Sequence, residues 1–103
     1  MNKINNVESI NKIIMKPQAT CLCQIVQDLY LNNFTVEFYP NNYYPDYMEV
    51  EAWINKNIEG RELNIEQAVN LLYNFLNEYS PVALRVTSTV TDCKTHFDVV
   101  VSK

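Results

Sequence analysis

The chain has a single glycine among its 103 residues, and that scarcity removes a whole class of functions. P-loops and dinucleotide fingerprints need at least two glycines, because only glycine lets the backbone close on a phosphate. Cations are also few: eight Lys and Arg stand against twelve Asp and Glu, for a net charge of −4. No stretch gathers four or more cations, so a broad basic field for nucleic acid is absent and any such partner is met locally. No apolar run approaches the roughly 18 residues of a membrane span, and Met1 to Ile10 holds no apolar block, so a soluble, cytoplasmic protein is expected. Three cysteines without a secretion signal make a disulfide framework a poor reading and a reactive or buried thiol a better one.

What is present is 48% apolar or aromatic, enough for one continuous domain at the small end of the size range. Residues 1–18 read as an N-terminal extension, with Val7, Ile10, Ile13 and Ile14 spaced for an amphipathic helix closed by Pro17. From Asn33 to Tyr39 apolar and polar residues alternate, which is the period of a half-buried strand, and Tyr43-Tyr44 follows as a short second one. Asp46 and Glu49 have capping-box spacing ahead of a helix whose apolar face is Val50, Trp53, Ile54 and Ile58, with Gly60 placed for a left-handed cap. Asn64 and Gln67 repeat that signal before Ile65, Ala68, Val69, Leu72, Phe75, Leu76 and Tyr79. Two alternating segments, Leu84 to Val90 and Phe97 to Val101, then read as a hairpin around Asp92 to Thr95. The expected architecture is α+β: an antiparallel four-stranded sheet with two helices on one face, in the order ββααββ, over residues 19–103.

Chemistry has few places to reside: Cys21, Cys23, Asp28, Glu49, Glu66, Cys93 and His96. Each has an ordinary reading. Free cysteines are mostly packing residues, and Glu49 and Glu66 each sit where a helix start favours an acid. A thiolate nucleophile needs a neighbour to manage protons, and Asp28 lies seven positions after Cys21 across a polar loop. Zinc is disfavoured: one residue between Cys21 and Cys23 is too few for a structural pair and reads as pointing the thiols apart. His96 reads as a solvent-facing residue, and Tyr43, Tyr44 and Tyr47 as a possible wall for a planar base.

Cys21 with Asp28, then FTVEFYP at 34–40, GRELNIEQAVNLL at 60–72 and LRVTSTV at 84–90 together resemble the QueF-type branch of the tunnelling-fold superfamily, over residues 19 to 101. The resemblance implies the tunnelling fold (T-fold), and an enzyme whose cysteine adds to the nitrile of cyano-deazaguanine to form a thioimide. By position, Cys21 is then the nucleophile and Asp28 the general acid and base. Glu66 anchors the guanine-like edge of the base, and Glu49 is a further substrate-binding carboxylate. The implied partners are the deazaguanine base, free or within tRNA or DNA, a nitrogen donor such as ammonia, and further copies of the chain in a homo-oligomer with sites between subunits.

Three departures from the family pattern accompany these matches. Leu22 and a second thiol, Cys23, stand where a proline usually follows the cysteine, and Ile65 replaces a histidine before the glutamate. The stretch Met48 to Trp53 lacks the lysine of the NADPH-binding run and carries Glu49 and Glu51 instead, which would repel a cofactor phosphate. No cofactor and no metal is therefore expected. The pattern is nearer the QueF-like amidine-forming enzymes than the NADPH-dependent nitrile reductases. Outside catalysis, a purine- or pterin-binding module of the same fold is the competing expectation.

Overall fold

Where apolar and polar residues alternate, the chain pairs into one antiparallel sheet, and where apolar residues recur at helical spacing it packs across that sheet's inner face. The computed structural model describes residues 3–92 and 94–103. Its strands are β1 (Ile4–Asn5), β2 (Ile13–Met15), β3 (Gln18–Leu22), β4 (Leu29–Tyr39) and β5 (Tyr43–Tyr44), followed by helices α1 (Tyr47–Asn57) and α2 (Ile65–Asn77) and by β6 (Ala83–Val90) and β7 (Phe97–Ser102).

Strand β4 is the long spine of the main sheet, with β6 and then β7 on one side and both β2 and β3 on the other. β2 and β3 keep a single register against β4, Met15 opposite Val36 and Gln18 opposite Asn33. They are one strand interrupted at Lys16-Pro17, since proline has no N–H to give to a ladder. The Phe34 N–H still donates to the Pro17 carbonyl at 2.9 Å. The sheet is thus four strands wide, with the expected α+β plan, but its first strand lies earlier than expected.

The helix expected from Val7 to Ile14 does not form. Ile13 and Met15 are half-buried while Ile14 is exposed, the alternation of an edge strand, and pairing with the free edge of β4 outweighs a weak helical pattern. Residues 13–15, assigned to the extension 1–18, therefore belong to the sheet. Tyr43-Tyr44 does not pair with its predecessor either; it forms a separate two-stranded ribbon with Ile4-Asn5.

The two helix starts differ. Asn64 accepts from the Gln67 N–H at 2.8 Å and Gln67 Oε1 accepts from the Asn64 N–H at 3.0 Å, so the capping box of α2 is complete. At α1 the Asp46 side chain makes no cap bond, so the box expected with Glu49 is absent. Gly60 has φ 74° and open space where a Cβ would stand, so its backbone conformation alone calls for glycine. Val50, Ile54 and Ile58 from α1 and its C-cap join Leu72, Phe75 and Leu76 from α2 over Phe34, Val36, Phe38, Leu84 and Val86. The helices meet through Trp53 and Phe75, stacked at 4.4 Å between ring centres. Among the described residues no helix is long and apolar enough to cross a membrane.

Candidate active site

The inner face of the sheet continues past the start of α2, and there it is open. Odd-numbered residues of β3 and even-numbered residues of β4 and β6 point inward, so that face runs from the closed core through Cys21, Asn32 and Ser88 towards Cys23, Tyr30 and Val90. Because α2 begins only at Ile65, the last of these rows borders a cavity of about 570 Å³. Its polar lining is Cys23, Asp28, Tyr30, Asn64, Glu66 and Asp92, and Ile65, Val90 and Phe97 are among its apolar walls.

The polar groups arrive from several elements. Cys23 and Asp28 are brought together by the β3–β4 hairpin: the Cys23 N–H donates to the Asp28 carbonyl at 2.8 Å and the Gln27 N–H to the Cys23 carbonyl at 3.0 Å. Gln27 closes this loop at φ 59°, a left-handed conformation taken by glutamine in a chain with almost no glycine. Glu66 comes from the first turn of α2. Asp92 comes from the turn after β6, where its Oδ2 accepts the Leu31 N–H at 3.1 Å. Tyr30 donates its hydroxyl to the Leu63 carbonyl at 2.5 Å. Burial, with the Cys21 thiol adding to it, pushes the Tyr30 hydroxyl up to about 12, so it remains a donor through the neutral range.

The structure brings Asp28 and Glu66 to one cavity, which Cys23 lines and Cys21 does not. Cys21 is fully buried. Its thiol donates to the Ile58 carbonyl at 3.5 Å and accepts from Asn32 Nδ2 at 3.4 Å, while Asn32 Oδ1 accepts from Ser88 at 2.8 Å. Burial above all pushes the Cys21 thiol up, against hydrogen bonds from Tyr30 and Asn32 that favour the thiolate, and the Glu59 charge pushes it further. Such a thiol is kept protonated and out of reach. The idea that the two thiols point apart is also corrected: residues two apart on an extended segment share a face, and here Cys21 joins the core while Cys23, just past the end of β3, lines the cavity.

Glu49 lies elsewhere. Tyr79, just beyond the C-terminal end of α2, has its hydroxyl pushed up by burial first and by the Glu49 charge next. Glu66 is at the opposite end of that helix, about 20 Å away at 1.5 Å per residue. Tyr44 and Tyr47 border a separate shallow depression with Ile4 and Ile13, so the expected aromatic wall is not part of the cavity. His96 is exposed just ahead of β7, and Cys93 lies outside the described residues. Among the described residues no three acid, cysteine or histidine side chains group as metal ligands. Tyr30 and Asp92 were missed as site residues; the even-numbered phase of β4, which puts Tyr30 on the face of Phe34, Val36 and Phe38, was a signal for the first.

A thiol and carboxylates lining one apolar-walled cleft can carry out nucleophilic addition to a small planar electrophile that presents N–H donors. No protein-family model matches the chain, and no curated protein matches it. Among solved structures it is similar to the archaeosine synthase QueF-Like in its apo form, with a TM-score of 0.84 at 19% identity, over 91% of this chain and 94% of that one. At that identity the likeness carries the fold, and the α+β plan described above is the fold of that protein.

Proposed function

We propose that the chain is a deazaguanine-modifying enzyme that attacks the nitrile of cyano-deazaguanine and converts it to an amidine. The observation that carries the reading is the meeting of Cys23, Asp28 and Glu66 around one cavity, in the fold of an archaeosine synthase. The nucleophile in this reading is Cys23 rather than Cys21, because Cys23 borders the cavity whereas Cys21 is fully buried. Cys23 also has Asp28 across the hairpin mouth, joined by the 2.8 Å backbone bond.

A nitrile carbon is a weak electrophile, so addition needs thiolate attack with proton delivery to nitrogen. Cys23 forms the C–S bond as one C≡N π bond breaks, and the thiol proton reaches nitrogen by way of Asp28, which gives a thioimide. Ammonia then adds to that carbon, the C–S bond breaks, and a proton from the amine returns to sulfur. Atoms and electrons balance without an oxidant or reductant. Glu66 accepts from the ring N–H and exocyclic amine of the base, a charge-assisted pair.

Amidination is favoured over NADPH-dependent reduction by the same lining. Asp28, Glu66 and Asp92 are its charged residues, and it includes no Lys or Arg, so it suits an amine and opposes a cofactor phosphate. The exposed rim residues Val26, Leu29 and Phe97 favour a second copy of the chain closing the site; light scattering at micromolar concentration checks this, with an oligomer expected. The reaction is tested by intact-protein mass spectrometry. Cyano-deazaguanine should add its mass to the protein, and ammonium should then release the amidine. Release of an aminomethyl base with NADPH, and no amidine with ammonium, would restore the reductase.

A further inference from the structure

We infer that Tyr30 is a positioning residue for this site: by donating its hydroxyl to the Leu63 carbonyl it holds the start of α2, and with it Glu66, at the separation from Cys23 and Asp28 that one bound base spans. The inference rests on the function proposed above and adds to it a residue that contacts the reaction only through another.

Two halves of the cavity must be kept in register. One is the β3–β4 hairpin with Cys23 and Asp28; the other is the N-terminal turn of α2 with Glu66. The segment joining α1 to α2 is laced to β3 along its length: the Gly60 N–H donates to the Thr20 carbonyl at 2.7 Å, the Leu22 N–H to the Arg61 carbonyl at 2.9 Å, and Leu22 bridges Glu62 in parallel. Tyr30 carries this lacing one step further, from β4 to Leu63 at 2.5 Å. Leu63 immediately precedes Asn64, whose reciprocal bonds with Gln67 make the first turn of α2 a rigid unit. A carbonyl fixed at Leu63 therefore fixes the turn that bears Glu66.

The other end of the tether is equally anchored. Tyr30 stands opposite Cys21 in the sheet register, two residues after Asp28. Beneath it lies the buried chain from Ser88 through Asn32 to the Cys21 thiol. Asn32 and Ser88 are the two buried polar residues among those described. Partnered polar groups in a core specify one arrangement more sharply than apolar contacts do. The Tyr30 hydroxyl also interacts with Asn32 and Cys21 of this chain, which seats it against the Leu63 carbonyl. The ring itself lines the cavity.

Tyr30→Phe removes the tether and leaves the ring. Base affinity, read from the concentration dependence of adduct formation, should fall about tenfold, the scale of one buried hydrogen bond to a fixed partner, with the rate at saturation changed less than about threefold. Against a Glu66→Ala background the same change should cost nothing further, because Tyr30 acts through Glu66. Loss of equal size in both backgrounds would overturn the inference, as would a fall in saturating rate with affinity unchanged. Amide exchange at Gln67 and Ala68 gives a reading without substrate: it should quicken about tenfold in Tyr30→Phe, and unchanged exchange overturns the tether. If the wild-type protein forms no adduct at all, the proposed function falls, and exchange at those two amides alone upholds or overturns the role of Tyr30.

Discussion

The two ends of one sheet face use the same strands for opposite purposes. At one end Phe34, Val36 and Phe38 of β4 and Leu84 and Val86 of β6 are sealed beneath α1 and α2, and the outcome is stability. At the other end Cys23, Tyr30 and Val90 continue the same inward-facing rows, but α2 has not yet begun, and the outcome is a cavity. Residue alternation is the same throughout. The lesson is that the site is made by where a helix starts, and that start is set by the Asn64–Gln67 capping box. Between the two ends, Cys21 sits in the transition row and belongs to the closed end by burial.

Substitutions that cross this boundary should separate the two roles, beginning with the cysteines. Cys23→Ala should abolish adduct formation and leave the thermal midpoint nearly unchanged. Cys21→Ala should keep most of the adduct and lower stability by about 1–3 kcal/mol, since Asn32 loses a buried partner. The opposite pattern in mass spectrometry and thermal melts would move the nucleophile to Cys21. At the closed end, Leu72→Ala should cost about 2–5 kcal/mol through the void it leaves, measured by urea unfolding. A cost below 1 kcal/mol would mean that the sheet end thought to be sealed is loosely packed.

Smaller effects belong to the open end. Asp28→Asn should slow addition about 10²-fold, the scale of one general acid, with melting unaltered; an unchanged rate removes Asp28 from the proton path. Glu66→Ala should weaken base binding by about 2–3 kcal/mol, whereas its exposed place at a helix start makes it worth less than about 1 kcal/mol in stability. Unchanged affinity with lowered stability would leave Glu66 a helix-dipole residue only.

The smallest effect is alkaline. Cys21 has its thiol raised above the ordinary 9.0, and Tyr30 its hydroxyl raised from 10.0 to about 12. The folded state therefore holds protons that the unfolded chain gives up first. Stability from both groups is complete below pH 9 and drains away as pH rises, through the thiol first and through the tyrosine between pH 10 and about 12. Thermal melts should fall over that range, and Tyr30→Phe should lessen the later part of the fall, the remainder of which belongs to Tyr79, whose hydroxyl burial also pushes up. A fall as steep in Tyr30→Phe as in the wild type would show that the open end contributes nothing to it.

Much of the fold was legible because its signals are local. The alternation of Phe34, Val36 and Phe38, the capping box at Asn64 and the helical spacing from Ala68 to Leu76 each depend on neighbours in sequence, and each formed as read. Asp28 and Glu66, named from the family resemblance, both line the cavity. What failed was pairing: Ile13–Met15 chose the edge of β4 over a helix, and Tyr43-Tyr44 chose Ile4-Asn5, because a strand partner is selected by a distant free edge that no local pattern reveals.

The sequence alone thus determined which residues alternate, which helix is capped, and that thiols and carboxylates are the reactive groups to consider. Only the tertiary structure decided which thiol is accessible. Cys21 and Cys23 stand two apart at the end of one extended segment, so period and spacing treat them alike; what divides them is the Ile58 carbonyl and Asn32 around one and the open cavity beside the other. It also separated Glu49 from Glu66, which look equivalent as acids in a first helical turn, by sending them to opposite ends of α2. Burial is a property of what arrives from elsewhere in the chain, and a linear pattern carries no record of it.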